Sequence, residues 1–351
     1  MTREFDIQLF AAPENLQLQT TAASLNTNAT TSSSLSAENK TFYDMELLKN
    51  AEPELVHDQF GQKRNIPKGK GKTIEFRRYS SLPKATTALV EGVTPSGQSL
   101  TVTALTATVS QYGGYVTISD ILDMTAIDNN IVEATQLLGS QAGRTLDTIT
   151  REVINAGTNV MWPPKTGTGG AQTAVTDRDE LDATSKLTTD IIFKAINQLK
   201  RNNVKPVDGQ NYVCIIHPDV VLDIMLSDAW KDVTKYSRPD QIFKGEIGMI
   251  GNCRFVETSE AKIWKGGGTE PSGLAVYSCL FIGKGAYGVT EIEGGGLETI
   301  VNQLGSAETA DPLNQRATVG WKGVKTAKIL SDDAIVRVEC VSSLSSTATA
   351  N

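Results

Sequence analysis

The sequence predicts an α+β fold. A helical apolar pattern runs from Thr125 to Ala156. Two alternating strand patterns, Thr73–Tyr79 and Leu100–Val109, flank a broad tip. The remaining helical and strand patterns occur in separate groups, without the strand–helix–strand rhythm of a parallel sheet. A chain of 351 residues allows about two domains, or one elaborated domain.

The first forty residues form a regime of their own. Thr20–Ser36 reads TTAASLNTNATTSSSLS, small, polar and uncharged. Such a stretch buries too little apolar surface to offset the entropy of ordering it, so residues 1–40 are read as a flexible arm. The tail 343–351 has the same composition and the same expected behaviour. A helix is expected from Ser36, with Phe42, Met45, Leu47 and Leu48 at three-to-four spacing and Pro53 as its limit.

Gly61–Arg78 then reads GQKRNIPKGKGKTIEFRR. Lys63, Arg64, Lys68, Lys70, Lys72, Arg77 and Arg78 stand against Glu75, a local charge of 7 − 1 = +6 inside a chain of net −7. The strand Thr73–Tyr79 carries Ile74 and Phe76 on one face; the second strand continues through Tyr115–Ile118. Between them SSLPKATTALVEGVTPSGQS holds Pro83, Gly92, Pro95 and Gly97 and is too long for a tight turn. A two-stranded ribbon of this length cannot bury its own face and must lie on something else.

The Thr125–Ala156 pattern is the strongest helix. Thr125 and Asp128 form a capping pair, apolar residues recur at Ile131, Leu138, Ala142, Leu146, Ile149 and Val153, and Gly157 ends it. About 28 residues span about 42 Å at 1.5 Å each. A compact chain of this size has a radius of gyration of about 20 Å, so the helix runs through much of the body. A loop-rich insertion follows, Asn159–Leu187, then an amphipathic helix over Thr188–Asn202. Tyr212–Ile216 reads as a buried strand before a Pro218 helix start, Asn252–Glu257 and Leu274–Ile282 as strands. Thr318–Leu330 and Ala334–Val341 are two final strands meeting at Ser331-Asp332-Asp333.

Composition excludes several chemistries. Cys214, Cys253, Cys279 and Cys340 are widely spaced in apolar settings, so they read as small buried hydrophobes and not as a CxxC site. His57 and His217 are the only histidines, which excludes a His-rich metal site. His217 precedes a helix start and reads as a structural, hydrogen-bonded residue. Gly283–Gly288 fits GxGxxG, but VTEIEGGG follows, which alternates like a strand where a dinucleotide site needs a helix. Gly71-Lys72-Thr73 ends like a P-loop, but Ile66 stands where its first glycine belongs. Carboxylates such as Asp332-Asp333 read as solvated turn residues. No apolar run reaches the length of a membrane span, and none is expected to contact a membrane. No cofactor or metal is expected.

The basic stretch has three readings: a nucleic-acid contact, a surface that pairs with acidic patches of another copy, or a solvated face. Aromatic interleaving for base stacking is sparse, which favours the second over the first.

The order of segments resembles the tailed-phage major capsid proteins of the Hong Kong 97 fold. FGQKRNIPKGKGKTIEFRRYSSLPKATTALVEGVTPSGQ is similar to the N-arm and extended loop of one such family. TAIDNNIVEATQLLGSQAGRTLDTITREVINAGTN is similar to its spine helix, and YVCIIHPDVVLDIM and DPLNQRATVGWK to later stretches. The resemblance implies an N-arm over 41–72, an extended β loop over 73–118, and a peripheral domain with the spine helix over 119–210. It also implies an axial domain over 211–317, and returning strands of the peripheral domain over 318–342.

It further implies a shell subunit and no enzyme, enclosing a double-stranded DNA genome without sequence-specific binding. Its partners would be other copies in hexamers and pentamers, with scaffolding, portal or decoration proteins. Its place would be the virion shell, assembled in the host cytoplasm. The β loop would lie across a neighbouring copy, and charge reversal at Arg77 and Arg78 should block particles while leaving a folded monomer. Two other classes stay open: a tail or decoration component of a virion, and a nucleotide-binding enzyme.

Overall fold

The computed structural model describes residues 45–51, 55–80, 82–125, 130–227, 248–267, 273–292, 296–304, 313 and 315–351. The expected arm 1–40, the helix start at Ser36 and Asp128 of the expected cap lie outside the described residues. Helices cover residues 45–51, Asp120–Thr125, Asn130–Asn155, Thr189–Arg201 and Pro218–Leu226. The strands are β1 (Gln62–Ile66), β2 (Thr73–Tyr79), β3 (Val102–Thr108), β4 (Ser110–Ser119), β5 (Val160–Met161), β6 (Lys165–Thr166), β7 (Gln172–Thr173) and β8 (Tyr212–Ile216). They continue as β9 (Met249–Ile250), β10 (Cys253–Glu257), β11 (Ile263–Gly267), β12 (Leu274–Ile282), β13 (Tyr287–Ile292), β14 (Glu298–Asn302), β15 (Arg316–Ile329) and β16 (Ile335–Val341).

Two compact units emerge. One comprises Met1–Glu54, Gln111–Arg144 and Gly295–Val324; the other Leu55–Ser110, Thr145–Gly294 and Lys325–Asn351. The long helix and β15 each contribute residues to both units.

The larger unit is built on a sheet ordered β5-β16-β12-β8-β10-β9, with β11 also on β12. β8, β12 and β16 are buried at every position. Their near-continuous apolar runs are what a strand covered on both faces requires. Alternation sends Cys214 and Ile216 of β8 to one side, with Tyr277, Cys279 and Phe281 of β12. The Thr189–Arg201 helix covers that side with Ile191, Ile192, Ala195, Ile196 and Leu199. Val213 and Ile215 turn to the other side, where Ile154 of the long helix, Tyr287 and Val289 meet them. All four cysteines are buried and free, as the small hydrophobes expected.

One expectation fails here. β8 and β10 run parallel, and the Pro218–Leu226 helix lies between them in sequence, so a strand–helix–strand unit does exist. β10 reads CRFVE, with arginine and glutamate breaking the apolar run that marks buried parallel strands, so the pattern was not legible.

β15 and β16 are the two strands expected to meet at Ser331-Asp332-Asp333, and they belong to different sheets: β15 joins β13 and β14, β16 joins β12. The Asp332–Ala334 turn passes the chain from one sheet to another. The tail also differs from the loose segment expected. Ser343 bonds Asp223 through both N–H and hydroxyl, Ala275 N–H donates to Ser345 O at 3.2 Å, and Asn351 accepts from Ile263 N–H at 2.9 Å. Small polar residues suit such a tail because they satisfy the backbone of the edge they cover.

In the smaller unit β14 pairs antiparallel with the first half of β15, and β4 pairs with β15 as well. Glycines allow that approach: a Cβ on Gly113 would fall 2.6 Å from Trp321 O, and one on Gly320 would fall 2.9 Å from Tyr115 Cβ. The Trp321 indole N–H donates to Gln141 Oε1 at 3.2 Å. A Cβ on Gly139 would strike Leu47 O at 2.7 Å, so residues 45–51 pack directly on the long helix.

Candidate assembly interface

The extended β loop is a ribbon of β2 and β3, in register Phe76↔Leu105 and Tyr79↔Val102. Its base is fixed by Val109 N–H to Lys72 O at 2.9 Å and by buried Phe76. Beyond Tyr79, residues 82–101 are all exposed. Leu82, Leu89, Val90, Val93 and Leu100 are half to more than three-quarters exposed. Scattered apolar residues on a surface are ordinary, but five on one unsupported tip are not.

The seven cations sit at the root of this ribbon. Lys63 and Arg64 lie on β1, Lys68, Lys70 and Lys72 on the turn after it, Arg77 and Arg78 on β2, and all are exposed. Gly69 and Gly71, at φ of 81° and 95°, supply the left-handed positions that this turn needs. Their environments differ. Arg77 Nε meets Glu75 Oε1 at 2.8 Å and Arg78 Nη2 meets Asp333 Oδ2 at 3.1 Å, both pairs in solvent. Arg64 is set 5.8 Å over the Phe76 ring. Asp333, read as a solvated turn residue, is therefore a partner of the basic stretch, and Asp332 accepts from Thr158 N–H.

Sequence reasoning missed a buried ionic cluster. His57 donates its backbone N–H to Asp147 Oδ1 at 2.7 Å, and its Nδ1 lies 2.6 Å from Asp147 Oδ2. Neighbouring Asp58 accepts from Thr150 Oγ1 at 2.6 Å and from Lys325 Nζ, which also reaches Leu146 O at 2.9 Å. The Tyr287 hydroxyl donates to His57 O. Burial, first, and then the Asp58 and Asp147 charges push that phenol well above its ordinary pKa, so it stays a donor. The available signal is Asp147, Thr150 and Arg151, polar residues three to four apart that recur on the buried face of the helix beside Leu146 and Ile154.

A second ionic group holds the loop-rich insertion. Glu339 of β16, almost wholly buried, accepts from Arg178 in a two-pronged pair at 2.6 and 2.9 Å and from the Trp162 indole at 3.1 Å. Arg178 stacks 3.9 Å over the Trp264 ring. Burial alone would raise the Glu339 pKa, but Arg178 and Arg337 outweigh it and hold the carboxyl below its usual range.

The enzyme motifs resolve into turns. Gly285, at φ 74°, turns the chain from β12 into β13, and a strand rather than a helix follows the GxGxxG. Thr73 after Gly71-Lys72 opens β2. His217 caps the Pro218–Leu226 helix, its Nδ1 accepting from Asp219 N–H at 3.2 Å; burial lowers its pKa, which suits an acceptor.

A model of the phage capsid protein family matches residues 102–338, more than half of the chain. The chain belongs to the phage capsid protein family. None of the curated proteins matches it. Among solved structures, this capsid protein resembles the capsid of the Cyanophage P-SCSP1u, at TM-score 0.61 and 14% identity over 82% of this chain and 89% of that one. The capsid of Ralstonia phage GP4 gives 0.59 and 19% over 82% and 88%; the Cyanophage Pam1 capsid gives 0.61 and 13% over 84% and 92%. The capsid protein therefore has the Hong Kong 97-type fold that its sequence resembles, and it is a subunit of a capsid shell.

Proposed function

We propose that this capsid protein builds an icosahedral shell of hexamers and pentamers around a double-stranded DNA phage genome, and that its β loop lies across a neighbouring copy. The exposed apolar tip, Leu82 to Leu100, carries this reading: it has no cover within its own unit. In the shell each copy makes several modest contacts, and closure makes them collectively strong. In this reading residues 119–210 with the strands 318–342 form the peripheral domain, 211–317 the axial domain at the symmetry centres, and the chain has no catalytic role. Scaffolding, portal and decoration proteins are its further partners, and assembly takes place in the host cytoplasm.

Charge supports the container role. Outside residues 61–78 the chain carries 26 Lys+Arg against 39 Asp+Glu, a net of −13. An acidic inner wall repels phosphate and leaves packaged DNA free to move. Electron microscopy of the protein expressed alone tests the reading: shells or hexamers support it, while tubes or trimers would assign it to another part of the virion. A thermal-shift screen with NAD and nucleotides should show no stabilisation.

A further inference from the structure

We propose that the small cavity at the root of the β loop is a receptor for one carboxylate side chain of a second copy, with Arg64 as the binding group. This rests on the shell reading above and specifies one of its contacts.

The cavity is about 60 Å³ and is lined by Gln62, Arg64, Phe76, Arg77, Arg78 and Leu105, together with Leu330. Its size selects the ligand. Small-molecule and cofactor sites run to about 300–1,000 Å³, so a nucleotide does not fit, whereas the head of an aspartate or glutamate does. Its charge selects the sign. Three arginines are among the residues that line it, and no aspartate or glutamate is.

The three arginines are not equivalent. Arg77 and Arg78 are engaged by Glu75 and Asp333 within the same chain. Among the described residues Arg64 has no carboxylate partner; its guanidinium carbon lies 5.8 Å from the centre of the Phe76 ring, which is itself buried and fixed against Gly288. Contact with an aromatic ring leaves the five N–H donors of a guanidinium free for a two-pronged carboxylate bond. The occupant is a second copy because the rest of this chain is acidic, at net −13 outside residues 61–78. Neighbouring copies thus offer carboxylates at high effective concentration once a shell begins to form.

The test uses full-length protein. Arg64→Glu, and separately Arg64→Gln, should lower particle yield by at least about tenfold, because an incoming carboxylate meets repulsion or no partner. The denaturation midpoint of the subunit should stay near wild type. Arginine-specific modification mapped by mass spectrometry supplies a readout independent of any variant: Arg64 should react in dissociated subunits and be protected in particles. Equal reactivity of Arg64 in both states, or normal particle yield from Arg64→Glu, would overturn the proposal and leave the shell reading intact. Failure of the wild-type protein to form any symmetric assembly would remove both.

Discussion

The ring of Phe76 occupies the space that a side chain on residue 288 would fill. A Cβ built on Gly288 would lie 2.7 Å from Phe76 Cζ, closer than carbon atoms can approach. A ribbon with no core of its own is thereby keyed into β13 by one buried ring, and the same ring positions Arg64.

Gly288→Ala should expel that ring. Overpacking at such a site costs about 1–3 kcal/mol. A lower urea midpoint is expected, with faster protease cleavage between Tyr79 and Val102. Unchanged cleavage would show that the ribbon is held by other means.

Leu89→Asp with Val93→Asp should behave oppositely. Both residues are exposed in the subunit, so its stability should shift by no more than about 0.5 kcal/mol. If the tip is covered by another copy, two charges there abolish particles. Sedimentation separates the outcomes: shells at wild-type yield would mean that the tip remains in solvent.

Reversing Arg77 and Arg78 to glutamate removes two solvent-exposed pairs that water and salt already screen. The circular dichroism spectrum and melting profile should therefore stay close to wild type while particle formation fails. Normal shells from this double variant would mean that neither arginine faces an acidic patch on another copy.

Asp58→Ala should be severe, since it leaves Lys325 buried with no carboxylate. Breaking one side of a buried pair costs about 3–5 kcal/mol. Adding Lys325→Met should restore much of the loss, because the stranded charge is removed along with its partner. Denaturant melts of the single and double variants measure the coupling; purely additive losses would contradict the assigned pairing.

Glu339 predicts the response to acid. Its folded pKa lies below its ordinary value, so the unfolded state binds the proton first as pH falls. The stabilisation from the Arg178 pair is full above the ordinary glutamate range, about pH 4.3, and is lost as pH drops through the depressed folded value. Glu339→Gln should therefore be less stable at neutral pH and flatter in its stability profile between about pH 5 and 3. A profile parallel to wild type would show that Glu339 is not a main source of acid sensitivity.

Elements whose signal is local are legible in the residues alone. The helix reported as Asn130–Asn155, the strand Thr73–Tyr79 and the buried runs of β8, β12 and β16 follow from apolar period alone. So does the ribbon's need for outside support, because two strands cannot bury their own apolar face. Tertiary structure alone decided which sheet each strand joined, and so separated β15 from β16 and set β8 parallel to β10. It also decided which charges were already engaged: Arg78 with Asp333, 255 residues away, and Lys325 with Asp58, 267 away. Period 2 and period 3.6 are written into neighbouring residues by the backbone. The pairing of distant groups depends on how whole elements stack, and single residues carry no record of it.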